Sequence, residues 1–326
     1  MEAQNKAAAA LVKKIASLHR AISKLPSLSP SPETDALFTD LVAACVAPSP
    51  ADVATLSPKV HRMRGELVWL CADAVARLEA RCSEALAALD DPLHHLRIFP
   101  YYDSCVGLCD LEHRLLSAHA PDRLAAPARV AFVGSGSLPL SSLLLAARHM
   151  PDAVVDSFDQ CGDANDRARR LLLRADHGGG VATRMSFRTA DVEGLTHELA
   201  TYDVIFLAAS VGVAGAEQKA GVIAHLGEHM ADGAALVVRS AHGARGFLCP
   251  VVEPADVWRG GFQVLAVHHP DSDEVINSII IARKVAGGGS YELAPCKCCE
   301  VETTRWRLPP TSCHLDAMDE IRRRAW

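Results

Sequence analysis

From Arg129 onward, short apolar runs alternate with stretches of helical periodicity, and few folds accept that alternation. Arg129 to Val133, Ala153 to Asp159, Met185 to Ala190, Val204 to Leu207 and Ala235 to Arg239 read as strands. Ser141 to His149, Ala164 to Arg174 and Glu217 to His229 read as helices between them. Strands that alternate with helices form a parallel sheet with helices on both faces. Two more apolar runs, Phe262 to His268 and Val275 to Ala282, are joined by the polar link Pro270 to Asp273. A parallel crossover needs about a dozen residues or more, so these two strands are expected as an antiparallel hairpin that ends the sheet.

The 326-residue chain is longer than this sheet requires. Its first 125 residues read as successive helices. Leu11, Ile15, Leu18 and Ile22 recur at helical spacing. Ser31-Pro32 and Ser57-Pro58 each put a capping hydroxyl before a proline at the first helical position. Ser49-Pro50-Ala51-Asp52 repeats that logic, with Asp52 placed for a capping box. Leu67, Leu70, Ala74 and Leu78 make one apolar face, which ends near Asp90-Asp91-Pro92 because a proline disfavours helix at the residue before it. A further helix is expected over Ser104 to His119. The character changes at Pro127, and periodicity is lost after Gly287-Gly-Gly289. The expected organisation is a helical N-terminal domain (1–125), a Rossmann-like α/β domain (126–286) and a C-terminal tail without regular structure (287–326).

Charge and composition exclude several functions. A formal net charge of −6 argues against a phosphate backbone as partner. The longest mainly apolar stretch, Val204 to Ala216, falls short of the roughly 20 residues of a membrane-spanning helix. Met1 to Ala10 hold no basic segment followed by an apolar one, so no secretory signal is expected. Eleven cysteines then read as reduced thiols in a cytoplasmic protein. The expected partner is a small molecule.

Gly134-Ser135-Gly136 follows the first strand and precedes a helix, where glycine lets the backbone turn tightly and approach a ligand. The third glycine of the dinucleotide fingerprint is missing, and Pro139 stiffens the loop, so a pyrophosphate seat is not indicated. Asp159 ends the second strand, where a carboxylate accepts from both ribose hydroxyls of an adenosyl group. Asp191 ends the third, where a carboxylate can accept from an adenine amino group. Either aspartate could instead be a helix N-cap. Glycine loop, two aspartates and terminal hairpin together resemble the S-adenosylmethionine-binding fold of class I methyltransferases.

Longer stretches point to one family. Lys24-Leu-Pro-Ser-Leu-Ser-Pro30, Ile98-Phe-Pro-Tyr-Tyr102, Arg129-Val-Ala-Phe-Val-Gly-Ser-Gly136, Ala164-Asn-Asp-Arg167, Ala224-His-Leu-Gly-Glu-His-Met-Ala-Asp-Gly233 and Val238-Arg-Ser-Ala-His-Gly-Ala-Arg-Gly-Phe247 resemble plant nicotianamine synthases, a likeness that runs to about residue 285. The resemblance implies that three S-adenosylmethionine molecules, as substrates, are condensed by transfer of their aminocarboxypropyl groups, giving nicotianamine and three 5′-methylthioadenosines. It also implies a base at Glu112 and a pocket that includes Tyr101 and Tyr102. Arg239 and Arg245, after the fifth strand, are suited to grip amino-acid carboxylates, and Ala208 leaves room beside the sulfonium. The chemistry itself requires no metal.

Plainer readings stand beside these. Glu112 could be a solvated helix residue, the tyrosines a hydrophobic plug, the arginines partners of surface acids, and Ala208 core packing. His242 reads as structural. Cys296-Lys-Cys298-Cys299 with Cys313-His314 lacks the spacing of paired zinc knuckles. Ser137, Ser104-Cys105-Val106, His113 and Ser210 to Gly215 depart from the family pattern. Two alternatives remain at this point: a small-molecule methyltransferase, and a catalytically silent relative.

Overall fold

A computed structural model describes residues 2–47, 57–124, 128–175, 180–213, 216–271 and 274–286. The Ser49-Pro50-Ala51-Asp52 signal, Pro127, part of the Pro270 to Asp273 link, the end of the Ser210 to Gly215 stretch and the tail with its cysteines lie outside the described residues.

Four helices come first: α1 (Glu2–Ile22), α2 (Pro32–Val46), α3 (Pro58–Ala87) and α4 (Tyr102–His119). The Ser31 hydroxyl accepts from the Thr34 amide and caps α2, with Pro32 at the first helical position. Ser57 occupies the N-cap position of α3 without a side-chain capping bond. A 3₁₀ stretch, Pro92–Ile98, fills the interruption before α4.

The sheet strands are β1 (Arg129–Val133), β2 (Val154–Asp159), β3 (Met185–Thr189), β4 (Val204–Leu207), β5 (Ala235–Ser240), β6 (Phe262–His268) and β7 (Ser278–Lys284). Between them lie α5 (Leu140–Leu144), α6 (Gly162–Ala175), α7 (Ala216–His229) and α8 (Pro254–Arg259). The expected helix over Ser141 to His149 divides into α5 and a π-helical turn, Leu145–His149. Strand order is β3-β2-β1-β4-β5-β7-β6. The first five strands are parallel, and β7 inserts antiparallel between β5 and β6. The closing hairpin thus forms as expected, and its second strand, not its first, joins the parallel sheet. This is the Rossmann-like arrangement.

Alternation along β1 sorts the two faces. Val130 and Phe132 join the cluster that holds Leu108, Cys109, Leu111 and Leu116 of α4, whereas Ala131 and Val133 join Val222, Ile223 and Leu226 of α7. Helix α4 therefore belongs to the sheet's own sandwich, although it precedes Pro127. Helices α1 to α3 form another cluster, with Ile15, Leu41, Leu67 and Cys71 against Phe247 and Leu248. Phe247 closes a 3₁₀ turn, Gly243–Phe247, just beyond β5. The N-terminal helices are thereby held over the carboxyl ends of the strands, where open sheets place their ligands.

Leu116 is fully buried in the cluster that binds α4 to the sheet. Leu116→Ala is expected to lower the unfolding free energy by about 2–5 kcal/mol, read from the urea midpoint at unchanged slope.

Candidate active site

The glycine loop leaves β1 with two residues that only glycine adopts readily. Gly134 has φ +84° and Gly136 φ +68°. The Gly134 and Ser135 amides donate to the Phe158 carbonyl, at 2.8 and 3.2 Å, which holds the loop beside the end of β2. Asp159 then accepts from the Gly136 amide and from the Cys161 amide, each at 2.9 Å. Its oxygens keep acceptor capacity beyond these two bonds. Ser135 Oγ is buried without a hydrogen-bond partner in this loop. A buried orphan hydroxyl at such a place fits a polar ligand.

Over this loop lies a residue that the sequence reading missed. Glu79, on α3, accepts from the Ser137 and Leu138 amides. A Cβ at Gly136 would meet its carboxylate, so the carboxylate lies directly over the loop. Burial, and then the nearby Asp159 charge, push the Glu79 carboxyl up to about 8.

Glu112 and Arg239 meet as a buried, bidentate pair. Arg239 Nε donates to Glu112 Oε1 at 2.7 Å and Nη2 to Oε2 at 2.8 Å. Glu112 is fully buried and Arg239 nearly so. Burial opposes the guanidinium charge, yet the Glu112 carboxylate outweighs it and holds Arg239 above its ordinary value. The guanidinium also lies over the Phe132 ring, 5.2 Å from its centroid. Cys105 lies near the pair and Glu79. Burial pushes its thiol up to about 12, and the charges of Arg239, Glu79 and Glu112 all reach it. Glu79, Cys105, Glu112 and Arg239 thus lie within electrostatic reach of one another beside the glycine loop.

Other expected site residues are placed differently. Asp191 is exposed and accepts from the Glu193 amide, capping a 3₁₀ turn, Val192–Gly194. Arg245 is buried and donates to the Pro270 and Val275 carbonyls, each at 2.9 Å, which anchors the link between β6 and β7. Tyr102 is buried, and its hydroxyl accepts from Arg148 at 3.0 Å. Tyr101 packs edge-on against Phe99. The two tyrosines therefore have separate partners. His113 stacks on His149. His242 is exposed and stacks on His269. Ala208 is buried, with its Cβ against the Gly134 position. Among the described residues, no group of three or more His, Cys, Asp and Glu side chains is placed to hold a metal ion, and no helix is long and apolar enough to cross a membrane.

Residues 3–288 match the family model described as nicotianamine synthase protein. The chain is 63% identical over 313 residues to nicotianamine synthase 2 of Oryza sativa subsp. japonica, across 93% of this chain and 94% of that one. It is 62% identical over 284 residues to nicotianamine synthase 8 of Hordeum vulgare, across 87% and 84%. Among solved structures, one described as MtNAS in complex with MTA and tNA superposes with a TM-score of 0.66 at 20% identity, across 84% of this chain and 96% of that one. A mutant of MtNAS in complex with S-adenosylmethionine superposes with a TM-score of 0.65 at 19% identity, across 84% and 98%. At that identity the likeness concerns the fold.

Removing one member of the buried pair strands a charge in the core. Glu112→Ala is expected to cost about 3–5 kcal/mol of stability, and the paired replacement Glu112→Leu with Arg239→Leu less than the single one. Chemical denaturation of both variants checks this.

Proposed function

The chain belongs to the nicotianamine synthase family, and from that premise we propose how its own residues condense three S-adenosylmethionine molecules into nicotianamine. In each transfer an amine lone pair forms a bond to the γ-carbon of the aminocarboxypropyl group. The carbon–sulfur bond breaks with its electrons going to sulfur, and 5′-methylthioadenosine leaves as a neutral thioether. The sulfonium is already a good leaving group, so the protein's tasks are alignment and proton removal.

The observation that carries the reading is Glu79 over the glycine loop. An α-amino group titrates at roughly 8, so a carboxyl raised to about 8 is matched to take its proton. We assign the base role to Glu79. Glu112, the base implied by the family resemblance, is clamped on both oxygens by a guanidinium that stays charged, and its role is to hold Arg239 and α4 in place. Gly134, Ser135, Gly136 and Ala208 would seat the adenosyl sulfonium, and Asp159 would take the ribose hydroxyls with its remaining acceptor capacity. Arg239 reaches the carboxylates of the amino-acid portion only if its grip on Glu112 is shared. Tyr101 and Tyr102 line the wall that α4 presents. Asp191 can turn from its cap to the adenine amino group, and Arg245 supports the loop opposite.

The product's amines and carboxylates chelate transition metals, so a role in metal homeostasis, iron included, follows from its chemistry. Seven free cysteines among the described residues suit a reducing cytoplasm.

Incubation with S-adenosylmethionine alone, read by mass spectrometry, is expected to give nicotianamine and 5′-methylthioadenosine. S-adenosylhomocysteine formed only with an added acceptor would point to a methyltransferase instead. Glu79→Gln is expected to keep binding by calorimetry and to lose product formation by about a hundredfold or more.

A further inference from the structure

Lys219 stands in the first turn of α7, in a stretch that reads as an ordinary solvated helix start, yet it is 1% exposed. Its ammonium donates to the carbonyls of Ala208 at 2.9 Å, Ala209 at 3.0 Å and Arg239 at 3.2 Å. An ammonium has three N–H donors, and here each has an acceptor. The three carbonyls belong to the carboxyl ends of β4 and β5. Gly212 closes the arrangement from outside. Its φ is +73°, and a Cβ there would come within 2.7 Å of the Lys219 Cα. The loop after β4 therefore folds tightly back over the lysine.

The same loop presses on the cofactor turn. A Cβ at Gly134 would meet Val211 at 2.6 Å and Ala208 at 3.1 Å. A path of direct contacts thus runs from Glu112 through the Arg239 side chain, the Arg239 carbonyl, Lys219 and Ala208 to the glycine loop. We propose that Lys219 is a positioning residue for S-adenosylmethionine binding, locking the ends of β4 and β5 so that Ala208 and Val211 fix the shape of the Gly134 turn. This rests on the S-adenosylmethionine site proposed above.

The lock depends on protonation. Burial brings the Lys219 ammonium down to about 7; the Cys249 thiol acts in the opposite sense, and Arg239 adds to the lowering. Cys249, beyond the 3₁₀ turn, and Arg239, on β5, are the titratable and charged groups facing it. Below about pH 7 the ammonium is present and all three carbonyls are partnered. Above it an amine with two N–H donors leaves one carbonyl without a partner.

Glu79 titrates nearby, so binding is best measured by calorimetry in a Glu79→Gln background, from pH 6 to pH 9. The dissociation constant for S-adenosylmethionine is expected to rise about tenfold across that range. Lys219→Met in the same background is expected to bind about tenfold more weakly at pH 6 and to show no further weakening by pH 9. Should Lys219→Met fail to fold, Gly212→Ala carries the decision: it keeps the lysine, displaces the loop and is expected to weaken binding at every pH. A folded Lys219→Met protein with the parent's affinity and pH profile would overturn the inference alone, as would unchanged affinity in Gly212→Ala. No binding by the unmodified protein would overturn the proposed function and the inference with it.

Discussion

Arg239 carries a permanent charge into the apolar sandwich between the sheet and α4. A guanidinium cannot be taken out of water there without a counter-charge at close range. Glu112 supplies it through two hydrogen bonds, and the requirement fixes much else. It ties α4 to β5 through side chains 127 residues apart. The carbonyl of the same Arg239 accepts from Lys219. Such a pair contributes little net stability against an apolar replacement. What it does in this fold is join α4 to β5 at one point.

A helical segment and a nucleotide-type sheet share one site. Helices α1 to α3 rest on Phe247 and Leu248, just beyond the carboxyl end of β5. From there α3 lowers Glu79 onto the glycine loop, where Ser137 and Leu138 donate to it and Asp159 opposes its charge. The sheet alone offers a seat for an adenosyl group. The helix over it adds a carboxyl poised near neutrality, which amine alkylation needs and simple cofactor binding does not.

The order of elements was legible because it depends on local patterns: apolar runs of strand length, serine–proline starts and glycines after β1. The glycine turn proposed as the cofactor's seat was legible for the same reason. Glu79 was not, because it acquires its role only by meeting Gly136, 57 residues later, and on its own helix it looks like a surface charge. Lys219 was hidden in the same way, since only the return of the loop after β4 buries it. Glu112 could be seen as an acid on an amphipathic helix, but its partner lies 127 residues away on β5. Asp191 caps a 3₁₀ turn, and such short turns leave little periodicity to read. The helix Pro254–Arg259 carried a proline start after Glu253 that the strand pattern around it overshadowed.

The central claim is a division of labour between two glutamates, the half-buried Glu79 moving the proton and the buried Glu112 holding the structure. Carbon-13 NMR of glutamate side-chain carboxyls across a pH titration addresses it directly. The account predicts one resonance titrating at about 8 that vanishes in Glu79→Gln and persists in Glu112→Gln. A resonance in that range that survives Glu79→Gln and disappears in Glu112→Gln would contradict it.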